Sequence, residues 1–137
     1  MSQNIADQYN LTFENKVHDW GKGDQYVFKI VNTNNQYLTA FLNSWNCAEH
    51  INASLLPDIN DALYNPDDEI DTDAATVDII IHRNEVDFYD DVKGYVNSIP
   101  LQDFKEIVIE WRDFLKTPPT GRSKIRLSFS NFFGMRK

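Results

Sequence analysis

The chain has 137 residues, 42% of them hydrophobic and 13% aromatic, which is enough apolar surface to close one core and too much for a disordered chain. Its net charge of −8 argues against direct association with nucleic acid or an anionic membrane, both of which repel such a surface. A lone cysteine, Cys47, excludes an intramolecular disulfide and a multi-cysteine zinc site, and suits a reducing compartment.

The start, MSQNIADQYNLTFENKV, has neither the basic nor the apolar segment of an export signal, and no apolar run is long enough to span a bilayer. A cytoplasmic protein of one domain is expected, with residues 1–9 and 131–137 frayed. Leu11 to Val17 alternates weakly and reads as a first strand or a short helix. YVFKIVN and YLTAFLN, residues 26–32 and 37–43, are aromatic and β-branched, and Thr33 to Gln36 between them holds an Asn-Asn pair suited to a tight turn. That pattern predicts a β-hairpin.

Leu56, Ile59 and Leu63 then recur at helical spacing, with Pro57 fitted to a first turn and Asn65-Pro66 to a stop, which predicts a short helix over 57–64. In VDIIIHRNEVDFYDD, Val77, Ile79 and Ile81 share one face and Val86 and Phe88 continue it after a turn around Arg83 to Glu85. The opposite face bears Asp78, Ile80, His82, Asp87 and Tyr89. This second predicted hairpin packs on one side and looks outward on the other.

The strongest helical pattern is SIPLQDFKEIVIEWRDFLKTPP, where Leu101, Phe104, Ile107, Val108, Trp111, Phe114 and Leu115 form a stripe. Ser98 is a candidate cap, Pro100 fits the first turn, and Pro118-Pro119 forbid continuation. IRLSFSN, with Ile125, Leu127 and Phe129 alternating, predicts a last strand. The fold class that follows is α+β: an antiparallel sheet built from hairpins, with one main amphipathic helix packed across it and one short helix.

Charge is unevenly distributed along the chain. Residues 1–50 carry a net −2, 51–100 a net −10 and 101–137 a net +4, and residues 61–78 hold seven acids and no base. Asp67, Glu69 and Asp71 fit positions one, three and five of a calcium loop, but Thr72 stands where that loop needs glycine and Asp78 where it needs a bidentate Glu. Cys47 and His50 are close in sequence, yet no second pair completes a zinc set and no glycine pattern accompanies a Cys-His nucleophile. Neither a metal nor a cofactor is expected. Carboxylates are plentiful enough for acid-base chemistry, but no pair is set apart by an apolar environment.

Four stretches, YLTAFLNSWNCAEHI, LLPDINDALYNPDDEI, IIHRNEVDFYDDV and SIPLQDFKEIVIEWRDFL ending in KTPP, span most of Tyr37 to Pro119. In texture they resemble the small acidic immunity proteins of bacterial polymorphic-toxin and contact-dependent growth inhibition systems. The resemblance implies a protein that binds a toxin domain delivered by a neighbouring cell, often a nuclease, and blocks it without doing chemistry itself. It carries over no set of binding residues. The residues themselves point the same way. A basic partner can be met by Asp67, Asp68, Glu69, Asp71, Asp73, Asp78, Asp87, Asp90 and Asp91 acting as phosphate surrogates, with Tyr64 and Tyr89 as aromatic anchors. Two other classes stay open: a small enzyme using carboxylates with His50 or His82 in a deep cleft, and a stand-alone ligand-binding or scaffold domain. Oligomeric state is not written in the sequence.

Overall fold

A computed structural model describes residues 3–21, 24–65, 70–73, 76–118 and 124–126 of the chain. The fold is α+β, with a long helix packed against antiparallel sheet. The sheet is in two parts. Strands β1 (Thr12–Gly21) and β2 (Asp24–Asn32) pair antiparallel, and β7 (Lys124–Arg126) joins the free side of β1, giving the order β2-β1-β7. Strands β3 (Ile70–Asp73), β4 (Val77–Ile81), β5 (Glu85–Asp90) and β6 (Gly94–Pro100) form a four-stranded meander.

The strand at 26–32 is present, but its expected partner is not. Residues 36–44 form a helix, α2 (Gln36–Ser44), and β2 pairs instead with β1, Phe13 opposite Val31. Asn35, read as a turn residue, is the helix cap: its side-chain Oδ1 accepts the backbone N–H groups of Tyr37 and Leu38 at 3.1 and 3.2 Å. Leu38, Phe41 and Leu42 then share a buried face at helical spacing. From α2, Asn43 reaches the edge of β2, accepting the Val31 N–H and donating to the Val31 carbonyl at 3.0 and 2.9 Å. A side-chain amide thus satisfies strand-edge groups that would otherwise seek another strand.

The short helix also begins earlier than its proline suggests. Residues 48–64 are continuously helical: α3 (Ala48–His50), a π-helical turn over Ile51–Leu55, and α4 (Leu56–Tyr64). Proline inside a helix removes one N–H and clashes with the carbonyl four residues back. The wider turn, in which the Leu56 N–H bonds the Ile51 carbonyl, sits immediately before Pro57 and relieves that crowding.

Helix α5 (Leu101–Leu115) follows β6 directly. Ser98 belongs to β6 and does not cap it; Pro100, with extended backbone, is the capping residue. The expected stripe is realised, with Leu101, Phe104, Ile107, Val108, Trp111 and Phe114 buried and Leu115 partly so. Its two halves serve different sheets. Trp111 and Phe114 meet Phe13 of β1 at ring distances of 5.6 and 5.2 Å, whereas Phe104 meets Phe88 of β5 at 6.3 Å and Phe41 of α2 at 5.8 Å. The Trp111 indole N–H is shared between the Leu42 and Trp45 carbonyls, at 2.9 and 2.8 Å, which closes the end of α2 onto α5.

At the amino terminus, residues 3–8 form helix α1 (Gln3–Gln8), with Ile5, Ala6 and Tyr9 buried. The Tyr9 hydroxyl donates to Asp103 in the first turn of α5 at 2.7 Å, and burial followed by that bond pushes its pKa well above the usual tyrosine range. Ile125 lies in β7, opposite Phe13, while Leu127, Phe129 and residues 131–137 lie outside the described residues.

Candidate functional site

No buried side-chain nitrogen or oxygen among the described residues lacks a hydrogen-bond partner. Strict alternation in β4 and β5 gives the four-stranded sheet two unlike faces. Val77, Ile79, Ile81, Val86, Phe88 and Ile99 are buried on one. On the other, register aligns Asp71, Ile80, Asp87 and Ser98 in one cross-strand row, and Asp78, Tyr89 and Tyr95 in the next.

The end of this second row depends on an irregularity in β6. Asn97 pairs with Phe88 and Tyr95 with Tyr89, leaving Val96 as an extra residue. A bulge of this kind shifts the alternation of a strand by one. Without it Tyr95 would share the inward side with Asn97 and Ile99; with it, Tyr95 faces Tyr89 in an edge-to-face contact at 5.8 Å.

The first row holds a directed chain of hydrogen bonds. Ser98 donates its only hydroxyl proton to Asp87 Oδ1 at 2.6 Å, so the Tyr95 hydroxyl, 2.7 Å from Ser98 Oγ, is the donor there. From the other side His82 Nε2 stands 2.9 Å from Asp87 Oδ2, and since an ionised carboxylate only accepts, Nε2 carries the proton. Asp87 is therefore occupied within the protein. The order of groups also bears on catalysis: a hydrolytic triad needs the imidazole between hydroxyl and carboxylate, and here the carboxylate lies between the other two.

Of the residues expected to bind a partner, Asp71, Asp78, Tyr89, Asp90 and Asp91 line one open concavity of about 540 Å³, together with Thr72, Ile79, Ile80 and Gly94; Asp71, Asp78, Ile80 and Tyr89 belong to the outward rows, Asp90 stands opposite Val77 at the end of β5, and Asp91 lies in the turn that follows. Asp71 and Asp78 are exposed, and no ion pair among the described residues engages either. Asp90 works at the rim, its Oδ1 accepting the Val92 and Lys93 N–H groups at 2.8 and 3.0 Å, and those bonds hold its carboxyl below the usual carboxylate range. Gly94, with φ of +79°, closes the same turn in a conformation that side chains disfavour.

The remaining expected residues divide. Asp67, Asp68 and Glu69 lie outside the described residues, and Asp73 is placed by register opposite Asp78. Tyr64, 79% exposed, ends α4 and belongs to the helical layer rather than to the sheet face. Sequence reasoning did not bring Ser98 and Gly94 to this site because β6 carries no clean alternation to announce it.

The calcium-loop reading is not supported, since Asp71, Thr72 and Asp73 lie on a strand rather than in a coordinating turn. Among the described residues no three or more His, Cys, Asp or Glu side chains converge as a metal site. Cys47 precedes α3 half-buried and His50 is exposed at its end. Among the described residues, too, no helix is long and apolar enough to cross a membrane. No protein-family model matches the chain, no curated protein matches it and no solved structure matches it.

Proposed function

We propose that this protein is a cytoplasmic inhibitor that binds and neutralises a basic toxin domain, of the nuclease kind, through the outward face of its four-stranded sheet. The observation that carries the reading is that Asp71, Asp78, Asp90 and Asp91 line one concavity with Tyr89, at strands β4 and β5 whose inward residues are buried in the core. A rigid acidic face of this sort imitates the phosphates that a nuclease is built to attract, and its field accelerates encounter. Aromatic groups beside the charges supply the desolvated contacts that charge alone does not. The resemblance to immunity proteins supplies the class of partner. No cofactor is required, and neither nucleic acid nor membrane is a direct partner. A small enzyme is the weaker reading, because the His82, Asp87 and Ser98 side chains are arranged to satisfy a carboxylate and not to activate a hydroxyl.

Co-expression tests this directly. The carboxy-terminal domain of a secreted protein encoded next to this chain is expected to arrest growth alone and to be tolerated when this chain is present. Growth arrest despite both proteins accumulating would remove the neutralising role. For the purified pair, Asp71→Lys combined with Asp78→Lys is expected to slow association about tenfold at low salt and to flatten its salt dependence. Unchanged association kinetics would take this face out of the mechanism.

A further inference from the structure

The outward face is more specific than a field of negative charge, because it combines a flat aromatic wall with acceptors beside it. Tyr89 has Asp78 directly across from it on β4, and Ile80, two residues further along the same face, has Asp71 across from it on β3. Directly opposed positions on one face bring side chains to about 5 Å of each other. All four line the concavity. Tyr95 backs Tyr89 edge-on and is itself held through Ser98 to Asp87, which His82 holds from the far side. Two strands and the turn before them thus contribute to fixing one tyrosine pair.

We propose that this concavity is a seat for a guanidinium group, an arginine side chain of the partner. The proposal rests on the reading of this face as the docking surface for a basic protein. Charge complementarity selects a cation, since the middle of the chain carries a net −10 and this face gathers part of it. The aromatic wall selects which cation. Guanidinium is planar, weakly hydrated, stacks on a tyrosine ring and offers its edge N–H groups, in its own plane, to carboxylates beside the ring; an ammonium is compact, strongly hydrated and gains less from the ring. Ile80 provides an apolar bed for the arginine's methylene stem. Carboxylates at Asp71 and Asp78 receive the fork. Asp87, Ser98 and Tyr95 are positioning residues, acting on the guest only through Tyr89.

Calorimetric titration of the full chain with blocked hexa-arginine and hexalysine peptides, at one low salt concentration, separates the guanidinium seat from charge alone. Hexa-arginine is expected to bind about tenfold more tightly. Tyr89→Phe is expected to keep that ratio and Tyr89→Ala to bring it near one, weakening hexa-arginine far more than hexalysine. Ser98→Ala is expected to lower the ratio without touching hexalysine binding, an effect that general loosening of the fold would not produce. Denaturant midpoints confirm that each variant is folded; should Tyr89→Ala fail to fold, Tyr89→Leu replaces it. Equal affinity for the two peptides, or a preference that survives loss of the ring, overturns the guanidinium seat and leaves the acidic docking face standing. Failure of both peptides to bind overturns the seat and the docking face together.

Discussion

The two faces of the four-stranded sheet are made from alternate residues of the same strands, yet they answer to different demands. Phe88 and Tyr89 are neighbours in the chain: one is fully buried against Phe104 of the long helix, the other lines the outer concavity. Inward positions are chosen for volume and fit, and outward ones need only avoid disturbing the pleat. On the proposed function, stability and recognition fall on opposite sides of one sheet. Substitutions should divide accordingly, with inward changes measured in denaturant and outward ones in binding.

The largest effect is expected at Phe88. Phe88→Ala removes a fully buried ring from the contact between β5 and α5 and should cost about 3–5 kcal/mol, read as a lowered urea midpoint. A loss under ~1 kcal/mol would mean that the two faces are not mechanically distinct. Next comes Trp111→Phe. It keeps most of the ring's volume but leaves the Leu42 and Trp45 carbonyls without their shared donor, and a cost of about 1–3 kcal/mol is expected in the same measurement.

A smaller effect with a pH signature belongs to Tyr9, a polar group on the packed side. Its folded pKa is raised, so the fold favours the protonated phenol; this contribution is complete below the unfolded tyrosine value of about 10 and is lost as pH rises toward the folded value. Tyr9→Phe should cost about 1 kcal/mol at neutral pH through the lost bond to Asp103. It should also remove part of the wild-type decline in stability above pH 10, measured by thermal unfolding in alkaline buffers. An identical alkaline decline in both proteins would show that the phenol is not the titrating group.

How much of this division was legible beforehand depends on how each strand is written. In β4 and β5 Val77, Ile79, Ile81, Val86 and Phe88 recur at every second position, so both faces, including Asp78, Ile80, Asp87 and Tyr89, could be read from the sequence even though Ile80 interrupts the polar face. The stripe of α5 was equally plain. At 37–43 the run YLTAFLN contains aromatic residues that suit a strand and Leu and Ala that suit a helix, and a short apolar run does not decide between them. Asn35 was the informative residue, because Asn caps helices as readily as it turns hairpins. Pro57 misled for a related reason: a proline signals a helix start unless a wider turn ahead of it absorbs the clash, and nothing in the local sequence announces that turn. The pairing of Tyr95 with Tyr89 was out of reach, since it depends on an extra residue whose presence follows from pairing with β5 and not from β6 alone.

The smallest expected change in stability is also the most discriminating. Asp71→Asn together with Asp78→Asn alters two exposed carboxylates that no ion pair among the described residues holds, so denaturant stability should move by less than about 0.5 kcal/mol. The direction should be upward, because removing like charge from a chain of net −8 relieves self-repulsion. Binding to a basic partner should fall at the same time, with a shallower dependence on ionic strength. Stability rising while affinity falls is the signature of residues retained for recognition at some expense to the fold. If the pair of substitutions instead destabilised the protein by ~2 kcal/mol, those carboxylates would belong to the scaffold, and the separation of the two faces would fail at the residues where it matters most.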